Sequence, residues 1–176
     1  MVILSGKITI TLIKCDIGSL PGHHVVPEIL LDIGRKRLKQ AREEGILNSY
    51  YVFHAGDDLE LLMIHEKGES SPTIHSLAWN IFLEATEKAK KLKLYGAGQD
   101  MLKDSFSGNI RGLGPGVAEM EVVERPSEPI VILAADKTSQ GAFNLPLFKI
   151  FADPFNTAGL ILDPTMMIGF KFEVLD

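Results

Sequence analysis

The order in which hydrophobic periodicities change along the chain restricts its fold most strongly. Residues 7–15 alternate between apolar and polar side chains, as a half-buried strand does, and a helical apolar stripe covers residues 27–45. An aromatic and β-branched run before Gly56 and an apolar run after it predict a hairpin, and Pro72 begins a second helical stripe. With a strand predicted at residues 117–124, the chain has the βαββαβ order of a ferredoxin-like α+β fold.

A continuous apolar run follows at residues 130–135 and ends at Asp136-Lys137. Such a run predicts a further strand that is buried on both faces. The total of 176 residues is enough for one domain with a substantial core. We therefore expect residues 1–176 to form a single domain.

Composition and charge exclude several classes of protein. The formal net charge of −5 argues against binding nucleic acid through a general basic surface. Cys15 is the only cysteine, so no internal disulfide is possible and a reducing cytoplasm fits. The sequence shows neither a signal peptide nor an apolar run near 18 residues, so we expect a cytoplasmic protein without a membrane partner.

The predicted hairpin carries two adjacent acids, Asp57 and Asp58, at its tip. Neighbouring carboxylates repel each other unless a cation lies between them, which favours a metal site. A solvated turn is the alternative, because Asp and Gly are common in turns.

The element order predicts which polar side chains meet. The first and second predicted strands run the same way, so Asp16 and the hairpin tip lie at the same end of the sheet. The loop after the second helix and the end of residues 130–135 return to that end. The side chains expected to converge are Asp16, His23, Asp57, Asp58, Gln99 and Asp136. Hard oxygen ligands of this kind favour Mg²⁺, which also accepts waters and substrate phosphates.

A glycine-rich loop lies between the second helix and the strand at residues 117–124. Residues 105–116 contain four glycines, two serines, Asn109 and Arg111. Backbone N–H groups in such a loop can cradle a phosphate. The spacing is neither a P-loop nor a dinucleotide fingerprint.

These motifs resemble a known family. The chain is similar to the amino-terminal part of the archaeal-type fructose-1,6-bisphosphate aldolase/phosphatase family. The matching stretches, in family order, are residues 14–24, 56–61, 94–100, 104–121, 135–138, 144–146, 151–157 and 169–174.

The resemblance implies a Mg²⁺-dependent enzyme of gluconeogenesis. Such enzymes join dihydroxyacetone phosphate to glyceraldehyde 3-phosphate and then hydrolyse the 1-phosphate of fructose 1,6-bisphosphate. The family fold is a layered α/β/β/α sandwich, and its members form homo-oligomers.

The resemblance also implies roles for individual residues. Asp16 matches the family's phosphatase general base and a metal ligand, and His23 matches a contact to metal and substrate phosphate. Further metal ligands are implied at Asp57, Asp58, Gln99 and Asp136. Contacts to the sugar phosphate are implied at Tyr95, Gly108, Asn109 and Lys137.

One departure limits what the resemblance implies. Family members are longer, and their carboxyl-terminal half carries the Schiff-base lysine of the aldolase, whereas this sequence stops at Asp176. We therefore expect phosphatase rather than aldolase chemistry from this stretch. Two alternatives remain open: a non-catalytic module that binds sugar phosphate or assembles with a partner, and a two-metal, palm-like nucleotide enzyme.

Overall fold

The structure is a computed structural model of the chain. It describes residues 6–102, 106, 114–123, 130–136, 141–151, 153 and 155. The chain divides into two compact units, residues 1–136 together with residue 176, and residues 137–175. The organisation of residues 1–176 as a single domain stays a prediction.

The first unit contains the predicted βαββαβ order. Its elements are β1 (Lys7–Asp16), α1 (Glu28–Glu43), β2 (Ser49–Ala55), β3 (Asp58–His65), α2 (Pro72–Lys91), a short 3-10 helix (Asp100–Leu102) and β4 (Gly116–Val123). The four strands form one antiparallel sheet in the order β2-β3-β1-β4. The α+β class and the element order are therefore confirmed. A second sheet layer stays a prediction.

The register of the sheet places the strand ends as expected. Both β1 and β2 are antiparallel to β3, so β1 and β2 run in the same direction. Asp16 is the direct cross-strand partner of Asp58, and Ala55 is the partner of Asp58 on the other side. The end of β1 and the tip of the β2–β3 hairpin therefore share one edge of the sheet.

The core lies between α1, α2 and one face of the sheet. Fully buried strand residues such as Ile13 and Leu61 belong to one hydrophobic cluster with Leu38 of α1 and Phe82 of α2. The apolar positions of both helices recur at helical spacing, which is why each buries a single stripe. This packing fixes the position of the sheet. The edge at which Asp16 and Asp58 meet is called the acidic edge below.

The prediction of a strand at residues 130–135 is wrong. Residues 130–136 form no strand, and Ile130 and Val131 are each about half exposed. A strand needs the backbone groups of a neighbouring strand, and no neighbour pairs with this run among the described residues. Apolar composition alone could not reveal that missing partner.

The described part of the second unit contains α3 (Asn144–Phe151). The Lys149 ammonium lies 2.8 Å from the Asp153 carboxylate just beyond the helix. In the part of the chain that the structure describes, no helix is both long and apolar enough to cross a membrane.

Candidate functional site

The carboxylates of Asp16, Asp57 and Asp58 gather at the shared edge of β1 and β3. Asp16 and Asp58 face each other across the strands, and Asp57 occupies the hairpin turn one residue before β3. Asp57 and Asp58 are almost fully buried. The turn therefore places Asp57 and Asp58 inside the protein. A solvated turn would leave them in water.

Asp57 is held by two side chains from the loop after β1. Its Oδ2 accepts a hydrogen bond from Ser19 Oγ at 3.1 Å and lies 2.8 Å from His23 Nδ1. The His23 ring meets the Tyr95 ring edge-on, with centroids 4.4 Å apart. The structure thus brings His23 to Asp57, as predicted, and places Tyr95 beside His23.

Two loops form one wall beside these side chains. Ser19 and Tyr95 exchange backbone hydrogen bonds of 2.9 and 3.0 Å, and the Gly98 N–H donates to Ile17 O at 3.0 Å. A side chain at Gly18, where φ is +127°, would approach the backbone of Ala97 to 3.0 Å. Glycine is required there because the loops run so close together.

The loop from Tyr95 also delivers one polar residue, Asp100, to the end of β1. Asp100 Oδ2 accepts the Asp16 backbone N–H at 2.8 Å. Gln99 is exposed, and its Oε1 lies beside Gly96. Asp100 was not among the predicted site residues, although it directly follows Gln99 in the sequence.

Asp136 reaches the hairpin turn, as predicted, although the strand on which that prediction depended does not form. A Cβ atom built on Gly56, where φ is +61°, would lie 2.5 Å from Asp136 Oδ2. The glycine therefore permits both the turn and the approach of this carboxylate. Asp136 also adds negative potential to the site, because its charge raises the pKa of Asp16 and of Asp58.

Two charged residues at this edge were missed from the sequence, Lys14 and Glu60. The Lys14 ammonium lies 2.5 Å from Asp58 Oδ2. Glu60 is the direct cross-strand partner of Lys14 and is 1% exposed. The signal was their i, i+2 spacing from Asp16 and Asp58, which places all four on one face of the sheet.

Among the described residues, Asp16 and Asp58 are surrounded mainly by other carboxylates. Burial raises the pKa of Asp16 to about 7, and the charges of Asp57, Asp58 and Asp100 add to the effect. Burial also raises the pKa of Asp58 to about 6, although the Lys14 ammonium opposes this shift. A bound cation would relieve this repulsion.

The donor set fits Mg²⁺ in its chemistry. The available atoms are carboxylate oxygens, and Asp16 Oδ1 is buried without a hydrogen-bond partner among the described residues. Within those residues, however, no group of three or more His, Cys, Asp or Glu side chains is arranged to hold a metal ion. The residues therefore supply suitable ligands without a closed coordination shell.

Three predicted substrate contacts, Gly108, Asn109 and Lys137, lie outside the described residues. Their positions, like the roles expected of all the site residues, stay predictions.

Comparisons with known proteins agree with the motifs. The sequence matches the family described as Fructose-1,6-bisphosphatase over residues 7–176. It is 62% identical over 170 residues to a protein from Sulfurisphaera tokodaii named fructose-1,6-bisphosphate aldolase/phosphatase. Identically named proteins from Thermococcus onnurineus and Methanothermobacter marburgensis are 61% and 58% identical over 170 residues. The matches cover 97% of this chain but only 44%, 45% and 47% of these three relatives.

Proposed function

The chain belongs to the fructose-1,6-bisphosphatase family, and from this premise we propose that it carries a Mg²⁺-dependent phosphatase site for fructose 1,6-bisphosphate in gluconeogenesis. The observation that carries the proposal is the set of carboxylates at one edge of the sheet, where burial and neighbouring like charges raise the pKa of Asp16 and Asp58. Sugar phosphates are anionic, so such a set holds them only through cations.

The roles follow from position and chemistry. Asp16, whose pKa is raised to about 7 by burial and neighbouring acids, is suited to take the proton of an attacking water. Asp100 fixes the Asp16 backbone, and Ser19 and His23 orient Asp57. Mg²⁺ would be held by Asp16, His23, Asp57, Asp58, Gln99 and Asp136. When bound, it would neutralise the negative charge of the phosphate and its leaving group.

The substrate contacts complete this proposal. Tyr95, Gly108, Asn109 and Lys137 bind the sugar phosphate, and His23 binds one of its phosphate groups. Tyr95 is exposed beside His23, where an incoming ligand can reach both side chains. Dihydroxyacetone phosphate is a further ligand to test, because the relatives are named as aldolases as well as phosphatases.

The chain spans less than half the length of the curated relatives compared above, so their full activity is a proposal here. The proposal covers the phosphatase reaction only, because none of the matched stretches carries the Schiff-base lysine that the resemblance implies for the aldolase. An apolar sheet face supports the layered sandwich. Four apolar side chains of β1 and β3 point away from the helix-packed cluster and are partly exposed, namely Ile8, Leu12, Leu62 and Ile64. A cytoplasmic homo-oligomer belongs to the same proposal.

A second candidate is a non-catalytic module that binds sugar phosphate. The observation in its favour is that no complete metal-holding group occurs among the described residues. This candidate predicts ligand binding that depends on Mg²⁺ but is not followed by turnover.

The deciding experiment measures phosphate release from fructose 1,6-bisphosphate by the purified chain, with and without Mg²⁺. We expect release that depends on Mg²⁺ and falls by about a hundredfold or more in Asp16→Asn. Asp32→Asn, on the exposed face of α1, is the matched control and should behave like the unmodified chain. No release from a folded chain that still binds the sugar phosphate would favour the non-catalytic module.

A further inference from the structure

Glu60 is a buried carboxylate that the proposed mechanism does not use. It is 1% exposed, and neither of its side-chain oxygens has a hydrogen-bond partner among the described residues. A buried carboxylate without partners is costly, so its presence needs an explanation. Among the described residues, the cation that acts on Glu60 is the Lys14 ammonium, which lies within electrostatic reach of it.

Lys14 is shared unequally between two acids. Asp58 is diagonal to it across the strands, yet its ammonium lies 2.5 Å from Asp58 Oδ2. Glu60 faces Lys14 directly, because the two residues are cross-strand partners and Cβ atoms of such pairs lie about 5 Å apart. Lys14 therefore has a bound acceptor and an adjacent empty one.

Gly116 leaves space for the side chain of Lys14. It is the β4 partner of Lys14, and a Cβ atom built there would lie 3.2 Å from Lys14 Cγ and 3.3 Å from Cε. The lysine stem passes over the bare backbone, so a change of rotamer is needed to move the ammonium, not a movement of the sheet.

A divalent cation on Asp58 would repel the ammonium that now occupies the same carboxylate. We propose that Glu60 is the second acceptor for Lys14 and receives its ammonium when a divalent cation binds Asp58. Glu60 is then a positioning residue that keeps Lys14 compensated in both states. This inference rests on the proposed Mg²⁺ site and adds a residue pair that the resemblance does not implicate.

We call this movement of the Lys14 ammonium from Asp58 to Glu60 the hand-over. A double-mutant cycle separates it from simple attraction between Glu60 and the cation. Mg²⁺ binding is measured by isothermal titration calorimetry at pH 8 for the unmodified chain, Glu60→Gln, Lys14→Met and the double variant. With Lys14 present, Glu60→Gln should weaken binding by about fivefold or more, because the displaced ammonium loses its acceptor. With Lys14→Met, the same change should cost less than about twofold.

A spectroscopic readout identifies the acceptor directly. In protein labelled with ¹³C at glutamate carboxyl groups, the Glu60 resonance is the one missing from Glu60→Gln. Mg²⁺ should shift it in the unmodified chain and leave it nearly unmoved in Lys14→Met. Lys7→Met and Glu121→Gln remove an exposed pair linking β1 and β4 and serve as matched controls for both measurements.

The outcomes are distinguishable. Equal effects of Glu60→Gln in both backgrounds, with an unmoved Glu60 resonance, would overturn the hand-over and leave the metal site standing. Absence of Mg²⁺ binding by the folded, unmodified chain would overturn the proposed site and the hand-over together. Glu60→Asp keeps the charge, so it should restore most of the affinity lost in Glu60→Gln.

Discussion

Acidic side chains lie near both ends of β3, yet their electrostatic situations are opposite. At the first end, burial and neighbouring carboxylates raise the pKa of Asp58 and Asp16. Near the other end, Glu119 of β4 loses solvation, but three hydrogen bonds outweigh this and lower its pKa. The two ends are about 23 Å apart along the strand, so each can be altered separately.

The network around Glu119 is complete. His65 Nδ1 accepts the Lys67 N–H at 3.1 Å, so its Nε2 carries the proton and donates to Thr11 Oγ1 at 2.9 Å. Thr11 then donates to Glu119 Oε1 at 2.9 Å. The carboxylate is further held by the Ser70 N–H at 2.6 Å and by His75 Nε2 at 3.0 Å. Every donor in this chain of contacts has an acceptor.

The comparison shows how an acid that stabilises the fold can be told from an acid that serves function. Glu119 is surrounded by donors and stabilises the fold, because a satisfied buried network specifies one arrangement. Asp16 and Glu60 keep buried oxygens without hydrogen-bond partners among the described residues. Such groups persist where a ligand completes them, which is why we place function at the first end.

Removing the charge of Glu119 should have the largest effect on stability. In Glu119→Gln, an amide NH₂ replaces one of the accepting oxygens and faces donors from Thr11 and His75 or from Ser70. We expect the free energy of unfolding to fall by about 3 kcal/mol. Urea denaturation followed by circular dichroism measures the change. Glu121→Gln, two residues along β4 and more exposed, is the control and should cost less than about 0.5 kcal/mol.

The stability of the metal-free chain should change with pH in the opposite direction to that of a typical salt-bridged protein. Burial raises the pKa of Asp16, Asp58 and Glu60 to about 7, 6 and 7, from ordinary values near 4. Between about pH 4 and pH 7 the folded chain therefore keeps protons that the unfolded chain has released. The free energy of unfolding should fall by about 2 kcal/mol across this window.

Urea denaturation in EDTA at pH 5, 6.5 and 8 tests this dependence, and added Mg²⁺ should restore stability at pH 8. Glu119 acts in the other direction, since its lowered pKa gives stability that is lost as the pH falls below about 4.5. A stability that rises steadily from pH 5 to pH 8 in EDTA would contradict the raised pKa values at the acidic edge.

The acidic edge could be predicted from the sequence because it depends on rules of topology. Alternation and turn residues located the ends of β1 and β2, and the element order placed Asp16, Asp57 and Asp58 together. The Lys14–Glu60 partnership was missed because it depends on register. A shift of one residue moves every side chain to the opposite face, and a single sequence sets register weakly.

The other misses have similar causes. Asp100 binds the Asp16 backbone through a loop whose path depends on contacts of Gly18 and Gly98, which no periodicity encodes. The Glu119 network joins four separate segments, so local pattern could not assemble it. The apolar run at residues 130–135 shows the reverse error, since composition predicted pairing that the described sheet does not provide.

Filling the space at the hairpin turn should have an intermediate effect confined to the acidic edge. In Gly56→Ala, the new methyl group would meet the Asp136 carboxylate, and φ at this residue is +61°. We expect a loss of about 1.5 kcal/mol in stability and a weaker affinity for Mg²⁺. Gly45→Ala is the matched control, with a φ of +73° and open space around it, and should lose only the backbone contribution. Equal Mg²⁺ affinity in both variants would argue that Asp136 plays no part in the site.

Asp16→Asn should have the smallest effect on stability, and it should stabilise the chain where the other variants destabilise it. Asp16→Asn removes one charge from a cluster in which neighbouring carboxylates raise the pKa of Asp16. In EDTA at pH 8 we expect the free energy of unfolding to rise by about 1 kcal/mol, because less like charge is buried together. The same neutralisation at Glu119 should lower it, so the pair of variants measures the difference between the two ends of β3 on one scale. Destabilisation by Asp16→Asn equal to that by Glu119→Gln would mean that both acids serve the fold alike, and the functional assignment of the first end would lose its physical basis.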